Sequence, residues 1–145
     1  MPIIKVENLV KKFGSIIAVN NISFNVEEGT IFGFLGPNGA GKTTTISILC
    51  TLLVPTSGNA LVNGYDCTKE SSSVRKSIGI VFQDTTLDKD LTAEENLLFH
   101  AYLYNVEKTE RRKRVDDVLK RVDLFSRKDD LVKKFSGGMK RRLEV

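Results

Sequence analysis

The chain has 145 residues, of which 41% are hydrophobic and 28% charged, as expected for one ordinary globular domain with a single core. No apolar stretch approaches the roughly 18 residues of a membrane span, and no signal-peptide core follows the N-terminus, so neither kind of segment is predicted. The two cysteines lack ligand spacing and there is one histidine. We therefore expect free thiols, a cytosolic location and no histidine-based metal centre.

The net charge of +4 is unevenly distributed along the chain. Residues 1–104 carry 8 Lys and Arg against 10 Asp and Glu, whereas residues 105–145 carry 14 against 8. A basic half is typical of proteins that bind nucleic acid or a membrane surface. Here the basic residues alternate with acidic ones at helical spacing. This pattern favours a solvated helix face, and we expect no nucleic-acid partner.

The N-terminal segments predict an antiparallel sheet. Residues 3–7 have the composition of a short strand, and residues 16–26 contain β-branched residues in an alternating pattern. Asn20 and Asn21 interrupt the second run, which indicates a turn or a bulge at that point. Residues 27–29, Glu-Glu-Gly, then end the run.

Residues 36–43, Gly-Pro-Asn-Gly-Ala-Gly-Lys-Thr, fit the pattern G-x-x-x-x-G-K-[ST] of a loop that holds the phosphates of a nucleoside triphosphate. The glycines let the backbone approach phosphate oxygens, and the N-terminus of the following helix favours negative charge. The context agrees, because residues 30–35 are an apolar run typical of a buried parallel strand. A helix should follow the loop and end near Val54, since Pro55 disfavours helix before it.

Two side chains of this loop are suited to phosphate chemistry. Lys42 adds a cation that can reach the β- and γ-phosphates, and the hydroxyl of Thr43 is suited to ligate Mg²⁺. The sequence therefore predicts a nucleotide site with its charged groups at the start of a helix.

Further elements of both kinds are predicted after the loop. Residues 59–64 predict a short strand with a turn, a helix with a serine N-cap should begin at Ser71, and residues 78–82 predict a second buried strand. The pattern then becomes helical. We expect two parts: an antiparallel sheet plus a partial phosphate-loop α/β core over residues 1–90, and a helical subdomain over residues 91–145.

Three helices are predicted in the second part. The first begins at residues 92–95, which form a capping-box sequence, the second spans residues 108–122, and a shorter third spans residues 128–134. Apolar residues at helical spacing are Leu97, Leu98, Ala101 and Tyr102 in the first helix, and Val115, Val118, Leu119 and Val122 in the second. We expect the last four to point inward.

A second motif lies near the end of the chain. Residues 135–139 read Phe-Ser-Gly-Gly-Met and precede the basic run Lys-Arg-Arg. This stretch resembles the signature sequence of ATP-binding cassette (ABC) proteins, Leu-Ser-Gly-Gly-Gln. A serine and two glycines at a helix start offer a hydroxyl and close backbone N–H donors to an anion. The pairing of this stretch with a phosphate loop makes the resemblance specific.

Other positions match the same family in order, and the resemblance assigns them roles. Phe13 stands where the family places an aromatic ring, most often tyrosine, against adenine. Gln83 matches the glutamine that ligates Mg²⁺, contacts the attacking water and senses the transport partner. Lys42 and Gln83 are the catalytic candidates, and Thr43 and Gln83 the metal candidates. The nucleotide-binding residues that the resemblance implies are Phe13, Val19, Gly36, Pro37, Asn38, Gly39, Ala40, Gly41, Lys42, Thr43, Thr44, Ser136, Gly137 and Gly138.

The resemblance implies an α/β fold, namely an incomplete ABC ATPase with a phosphate-loop core, an N-terminal antiparallel β-subdomain and a C-terminal helical subdomain. It implies ATP and Mg²⁺ as cofactors. A second nucleotide-binding domain paired head to tail and a transmembrane permease are the implied partners, at the cytoplasmic face of a membrane. Met139 in place of glutamine resembles the ABC-2-type branch of drug-resistance and polysaccharide or lipid exporters.

One departure from the family pattern limits the expected chemistry. The Walker B strand ending in Asp-Glu and the later switch histidine would follow residue 145, so the sequence resembles a domain truncated before Walker B. We therefore expect this chain to bind ATP and to hydrolyse it negligibly by itself. We also expect an exposed sheet edge at residues 30–35, with partial disorder or dimerisation through it.

Two other functions stay open from the sequence. A soluble ABC protein of DNA repair or translation has the basic C-terminal half as its support. A binding-only remnant would capture ATP without turnover. The transported substrate cannot be named from this chain, since specificity in the family lies mainly in the membrane partner.

Overall fold

A computed structural model describes residues 2–82 and 84–145, and the chain forms two compact units, one ending at Ile80 and one beginning at Val81. The predicted subdomain boundary between residues 90 and 91 stays a prediction. In the described part of the chain, no helix combines the length and the apolar character needed to cross a membrane.

The first unit contains a four-stranded antiparallel sheet with the order β2-β1-β3-β4. Its strands are β1 (Pro2–Phe13), β2 (Ile16–Glu27), β3 (Ser57–Val62) and β4 (Tyr65–Asp66). The first two form a hairpin that closes with the pair Phe13 and Ile16. The predicted strands over residues 3–7, 16–26 and 59–64 are confirmed, although β1 is considerably longer than its sequence pattern indicated.

Bulges in the β1–β2 hairpin interrupt the alternation of inward and outward side chains along the two strands. Asn8 and Asn21 both have positive φ, at 48° and 52°, a conformation that asparagine tolerates better than most residues. The register shifts between Val6 and Leu9, so both of these side chains point into the core although they are three residues apart. The bulge predicted at Asn20–Asn21 is confirmed.

The core of the first unit lies between this sheet and two short helices, α1 (Lys42–Leu49) and α2 (Ser71–Ser77). Its fully buried side chains include Leu9, Ile48 and Val74. Cys67 also belongs to this core, and desolvation raises the pKa of its thiol to about 11, so the thiol stays protonated at neutral pH.

Two predicted strands of the first part are wrong in this structure. Residues 30–35 and residues 78–82 have no strand pairing, and Ile31 and Leu35 are almost fully exposed. An apolar run identifies a segment that is able to be buried, but a strand forms only where a neighbour supplies hydrogen bonds. Within the described sheet, no strand pairs with either segment.

The ends of α1 and α2 also differ from prediction. Helix α1 ends at Leu49 and not near Val54, because Thr51 turns the chain with a positive φ of 61°. Helix α2 begins at Ser71 as predicted, but its N-cap is Glu70 and it has no side-chain cap bond, so the predicted serine cap is wrong.

The second unit is helical, with α3 (Ala93–Leu103), α4 (Lys108–Arg121) and α5 (Gly137–Glu144). The predicted capping box is confirmed, since the Thr92 hydroxyl accepts from the Glu95 amide at 3.1 Å and the Glu95 carboxylate accepts from the Thr92 amide at 2.8 Å. The predicted helix over residues 128–134 is wrong. One 3₁₀ turn, Phe125–Arg127, precedes that region, and a second, Val132–Lys134, forms its last three residues.

The core of the second unit is formed around α4. Val115 and Leu119 are buried as predicted, Val122 packs at the edge, and Val118 is exposed, which corrects its predicted inward orientation. Asn96 is a buried polar residue whose side-chain hydrogen bonds are all satisfied. Its Oδ1 accepts from the Asp88 amide at 2.8 Å, and its Nδ2 donates to the carbonyls of Asp88 and Thr92, each at 2.9 Å. Asn96 therefore holds the loop before α3 onto that helix.

We expect Leu9→Ala to lower the free energy of unfolding by about 3 kcal/mol, because the truncation leaves a cavity beneath the sheet. Leu35→Ala makes the same chemical change at an exposed position and should shift stability by less than about 0.5 kcal/mol. Urea unfolding monitored by circular dichroism measures both. Equal effects of the two substitutions would contradict the core described above.

Candidate functional site

The predicted phosphate loop is an exposed backbone turn that leads directly into α1. Gly39 and Gly41 have positive φ, at 83° and 81°, and the Ala40 amide donates to the Pro37 carbonyl at 3.3 Å. Gly41 is the N-cap of α1, so the free N–H groups of the first helical turn open toward the loop. The exposed backbone of the loop and the start of the helix are together suited to an anion.

Gly41 is required by packing as well as by its backbone angle. A Cβ at this position would overlap the Ala18 carbonyl oxygen and crowd Cγ2 of Val19 at 3.3 Å. Val19 lies on β2 and is buried, so it supports the loop from the core side. The structure thus places the predicted nucleotide-binding residue Val19 directly beneath the loop, and its contact with nucleotide stays a prediction.

The ammonium group of Lys42 is folded back over the loop. Its Nζ donates to the carbonyl oxygens of Gly36 and Pro37, each at 2.7 Å. Among the described residues no carboxylate pairs with this ammonium. A cation whose partners are neutral carbonyls keeps its charge available for an anionic ligand.

The three threonines that open α1 differ in what their hydroxyls can do. Thr45 is buried and its hydroxyl donates to the Gly41 carbonyl at 2.9 Å. Thr43 is exposed in the first turn, and its hydroxyl has no hydrogen bond among the described residues, while Thr44 is half-buried. Thr43 is therefore the hydroxyl best placed to serve as a metal ligand.

Phe13 lies at the end of β1, where the hairpin turns, and 47% of the residue is exposed. An exposed aromatic ring on an ordered strand has a face available for stacking. The side chain of Lys11 lies over the ring, with its Nζ 5.0 Å from the ring centroid.

The signature-like residues form the N-terminus of α5. Ser136 is the N-cap, and its hydroxyl accepts from the Met139 amide at 3.2 Å. A Cβ added to Gly137 or Gly138 would meet no atom of the described residues within 4 Å, so both positions are open to that extent. Phe135 anchors this segment by its burial in the core of the second unit. The result is a second exposed helix start with free N–H donors.

Gln83, the predicted catalytic and metal-binding residue, lies outside the described residues. The chain on either side of it is bonded to α5. Arg141 Nη1 donates to the Phe82 carbonyl at 2.5 Å, and Glu144 Oε1 accepts from the Thr86 amide at 2.7 Å. Sequence reasoning missed both contacts. Arg141 and Glu144 also form a local ion pair at 3.5 Å.

The surroundings of Glu144 favour its ionised form. Burial raises the pKa of this carboxyl, but hydrogen bonds from the Thr86 amide, the Thr85 hydroxyl and Arg141 outweigh that effect and leave the pKa below its usual value of 4.5. The carboxylate is therefore ionised at neutral pH and holds residues 85 and 86 against the signature helix.

The helix starts at Gly41 and Ser136 are each suited to an anion such as a phosphate group. Residues 2–82 and 84–145 contain no group of three or more His, Cys, Asp or Glu side chains that could hold a metal ion. A metal at this site would rely on the Thr43 hydroxyl and on the phosphates of a bound nucleotide.

Comparison with known proteins agrees with this geometry. A family described as "ABC transporter" matches residues 19–145. The chain is 44% identical over 142 residues to the linearmycin resistance ATP-binding protein LnrL of Bacillus subtilis. This alignment covers 98% of this chain and 46% of LnrL. It is 40% identical over 132 residues to the doxorubicin resistance ATP-binding protein DrrA of Mycobacterium tuberculosis. This second alignment covers 91% of this chain and 40% of DrrA.

A solved structure shows the same fold. CbiO1 of Clostridium perfringens, part of the ABC transporter complex CbiONQ, matches with a TM-score of 0.85 and 32% identity over 99% of this chain and 59% of that one. The predicted α/β ABC ATPase fold is thereby confirmed. The chain spans about half the length of the curated relatives that it matches.

We expect Glu144→Gln to lower the free energy of unfolding by about 1 kcal/mol at neutral pH, because charge-assisted hydrogen bonds to residues 85, 86 and 141 are weakened. The folded-state pKa lies below the unfolded value of 4.5, so this stabilisation is complete above pH 4.5 and is lost as pH falls through the folded-state pKa. The difference between wild type and variant should therefore shrink in acid.

Thermal unfolding at several pH values between about 7 and 3 measures this difference. Glu28→Gln is the control, since Glu28 is an exposed carboxylate with no ion pair among the described residues. A Glu144→Gln effect that stayed constant over this pH range would contradict the assigned role.

Proposed function

Because this chain belongs to the ABC transporter family, we propose that it binds ATP and Mg²⁺ and acts as the ATP-binding part of an exporter. Relatives whose names give them as resistance ATP-binding proteins support the exporter branch. Met139, in place of the more usual glutamine, supports the same branch. The transmembrane permease that such a subunit serves is the proposed partner, at the cytoplasmic face of the membrane.

The observation that carries ATP binding is the position of Lys42. Its ammonium lies 2.7 Å from two carbonyl oxygens of the phosphate loop, at the start of α1, with no carboxylate partner in the described residues. A triphosphate entering the loop exchanges these neutral acceptors for anionic oxygens, which bind an ammonium more strongly. The free N–H groups of the first helical turn add to this attraction.

The remaining proposed contacts are made to the adenine base at one end of the nucleotide and to Mg²⁺ at the phosphate end. Phe13 stacks on the adenine, because its exposed ring lies at the hairpin end of β1, the strand that pairs with β2 beneath the loop. Thr43 supplies a hydroxyl to Mg²⁺, and Gln83 is the proposed second protein ligand and water contact. In this assignment the protein positions the phosphates and neutralises their charge.

Ser136, Gly137 and Gly138 complete the ATP site of a second domain in a head-to-tail pair. Glycine costs roughly 1 kcal/mol relative to alanine in a helix, and no contact with the described residues requires it at either position. Open glycines at an exposed helix start are explained if the γ-phosphate of a nucleotide held by another domain approaches their backbone. ATP then joins the two domains, and its loss separates them.

Binding without efficient turnover is the proposed property of this chain by itself. Phosphoryl transfer to water needs a general base in addition to the water contact proposed for Gln83, and no carboxylate of the described residues pairs with Lys42 in the loop. The coupled hydrolysis typical of the family is proposed for the whole transporter.

We expect Lys42→Ala to weaken ATP binding by at least about tenfold, since charge-assisted hydrogen bonds to phosphate are lost. Lys76→Ala removes an exposed lysine from α2 and should leave the affinity unchanged. Isothermal titration calorimetry with and without Mg²⁺ measures both. Phosphate release by the wild type should not exceed that of Lys42→Ala, and a clear excess would contradict binding without turnover.

We expect ATP with Mg²⁺ to increase the fraction of dimer, and Gly138→Leu to prevent this increase while leaving ATP affinity intact. A Cβ at Gly138 meets no atom of the described residues within 4 Å, whereas a phosphate that approaches this backbone would collide with a leucine side chain. Sedimentation velocity at matched nucleotide saturation measures the dimer fraction. Full ATP-dependent dimerisation of Gly138→Leu would contradict the proposed pairing.

A further inference from the structure

The ring of Phe13 has two unequal faces in this structure. One lies against the side chain of Lys11, whose Nζ is 5.0 Å from the ring centroid, within the range of a cation–π contact. Phe13 is nevertheless 47% exposed, so much of the ring remains open to solvent. The ring is therefore held from one side and available from the other.

The ammonium of Lys11 is itself fixed in place. It donates to the Val54 carbonyl at 2.7 Å, and Lys11 is half-buried although it lies near the end of β1. No carboxylate among the described residues pairs with it. The same ammonium thus contacts both the ring of Phe13 and the carbonyl of Val54, which lies 43 residues after Lys11 in the sequence.

The segment that carries this carbonyl is bonded to the same strand end. The Thr56 amide donates to the Val10 carbonyl at 2.8 Å, and the Thr56 hydroxyl accepts from the Lys12 amide at 2.9 Å. Val54 and Thr56 follow α1, the helix that begins at Lys42 in the phosphate loop. The bonds of Lys11 and Thr56 therefore connect the aromatic end of β1 to the far end of the phosphate-loop helix.

We propose that Lys11 is a positioning residue for the nucleotide base: it holds one face of the Phe13 ring so that the opposite face is presented to the base at a constant distance from the phosphate loop. This inference rests on the proposed stacking of adenine on Phe13. A free aromatic side chain at a hairpin end loses rotational freedom when a base binds, which weakens binding. With Lys11 in place, that ordering is already complete before the base arrives.

If Lys11 acts in this way, its loss should weaken binding of the base and leave binding of the phosphates unchanged. Lys11→Met keeps the length and apolar stem of the side chain and removes the charge. It should weaken ATP binding about two- to fivefold, the size expected of an exposed cation–π contact. Inorganic triphosphate, which lacks a base, should bind Lys11→Met and wild type equally. Lys11→Arg, which retains a cation and N–H donors, should restore most of the ATP affinity.

Lys12 is a matched control on the same strand. It is exposed, and its ammonium has no hydrogen bond, ion pair or ring contact among the described residues. Lys12→Met removes the same charge one residue away and should leave ATP affinity unchanged. This control separates a specific contact with Phe13 from a general loss of positive charge near the site. Thermal unfolding of each variant checks that the hairpin remains folded.

The test is isothermal titration calorimetry of the purified chain with ATP and with inorganic triphosphate, for the single variants and for Lys11→Met in a Phe13→Ala background. We expect Lys11→Met to have no further effect in that background, because the ring through which it acts is gone. An equal loss of triphosphate affinity, a loss of ATP affinity that persists without Phe13, or no loss at all would each overturn the proposal.

The failure of this proposal and that of the proposed function are distinguishable. If Phe13→Ala weakens ATP binding and Lys11→Met does not, only the role of Lys11 is wrong. If Phe13→Ala leaves ATP binding unchanged while Lys42→Ala weakens it, adenine stacking on Phe13 is wrong, and the role of Lys11 is wrong with it.

Discussion

The close packing of Gly41 against β2 is the constraint on which the phosphate loop depends. The positive φ of this residue, its position as N-cap of α1 and its approach to Ala18 and Val19 exclude any side chain. Because the loop rests on the sheet at this point, the start of α1 and the ammonium of Lys42 take up a defined position relative to β2. The hairpin partner of β2 carries Phe13, so the same contact relates the loop to the aromatic ring that is proposed to stack on the base.

In the second unit, hydrogen bonds from polar side chains hold the loops in place. Asn96 holds the loop before α3, and Arg141 and Glu144 of α5 hold the chain on either side of residue 83. Each of these groups is bonded to backbone atoms, so each fixes a loop conformation and not merely a pair of side chains. The signature helix and the segment around residue 83 are therefore linked through backbone positions, and movement of one must be accommodated by the other.

The motifs were predictable from the sequence because they depend on local backbone chemistry. Glycine in the left-handed region, a helix start after it and a capping box at Thr92 and Glu95 are properties of a few consecutive residues. The strands predicted at residues 30–35 and 78–82 failed for the opposite reason, since pairing depends on a neighbour that an apolar pattern cannot identify. The predicted inward orientation of Val118 was wrong for a similar reason. Helical spacing shows which residues share a face of the helix, but the burial of that face depends on which elements pack against it.

The sequence by itself determined the family, the α/β class and the residues of the phosphate loop and signature, because these motifs need particular residue types at fixed spacing. Only the tertiary structure decided that the hydroxyl of Thr45, and not that of Thr43, is hydrogen-bonded within the described residues, that Val19 supports the loop from the core, and that Lys11 covers one face of Phe13. These are relations between residues far apart in the chain or between equivalent side chains on one helix. They follow from how the sheet, the bulges and the helices pack, which no local pattern encodes.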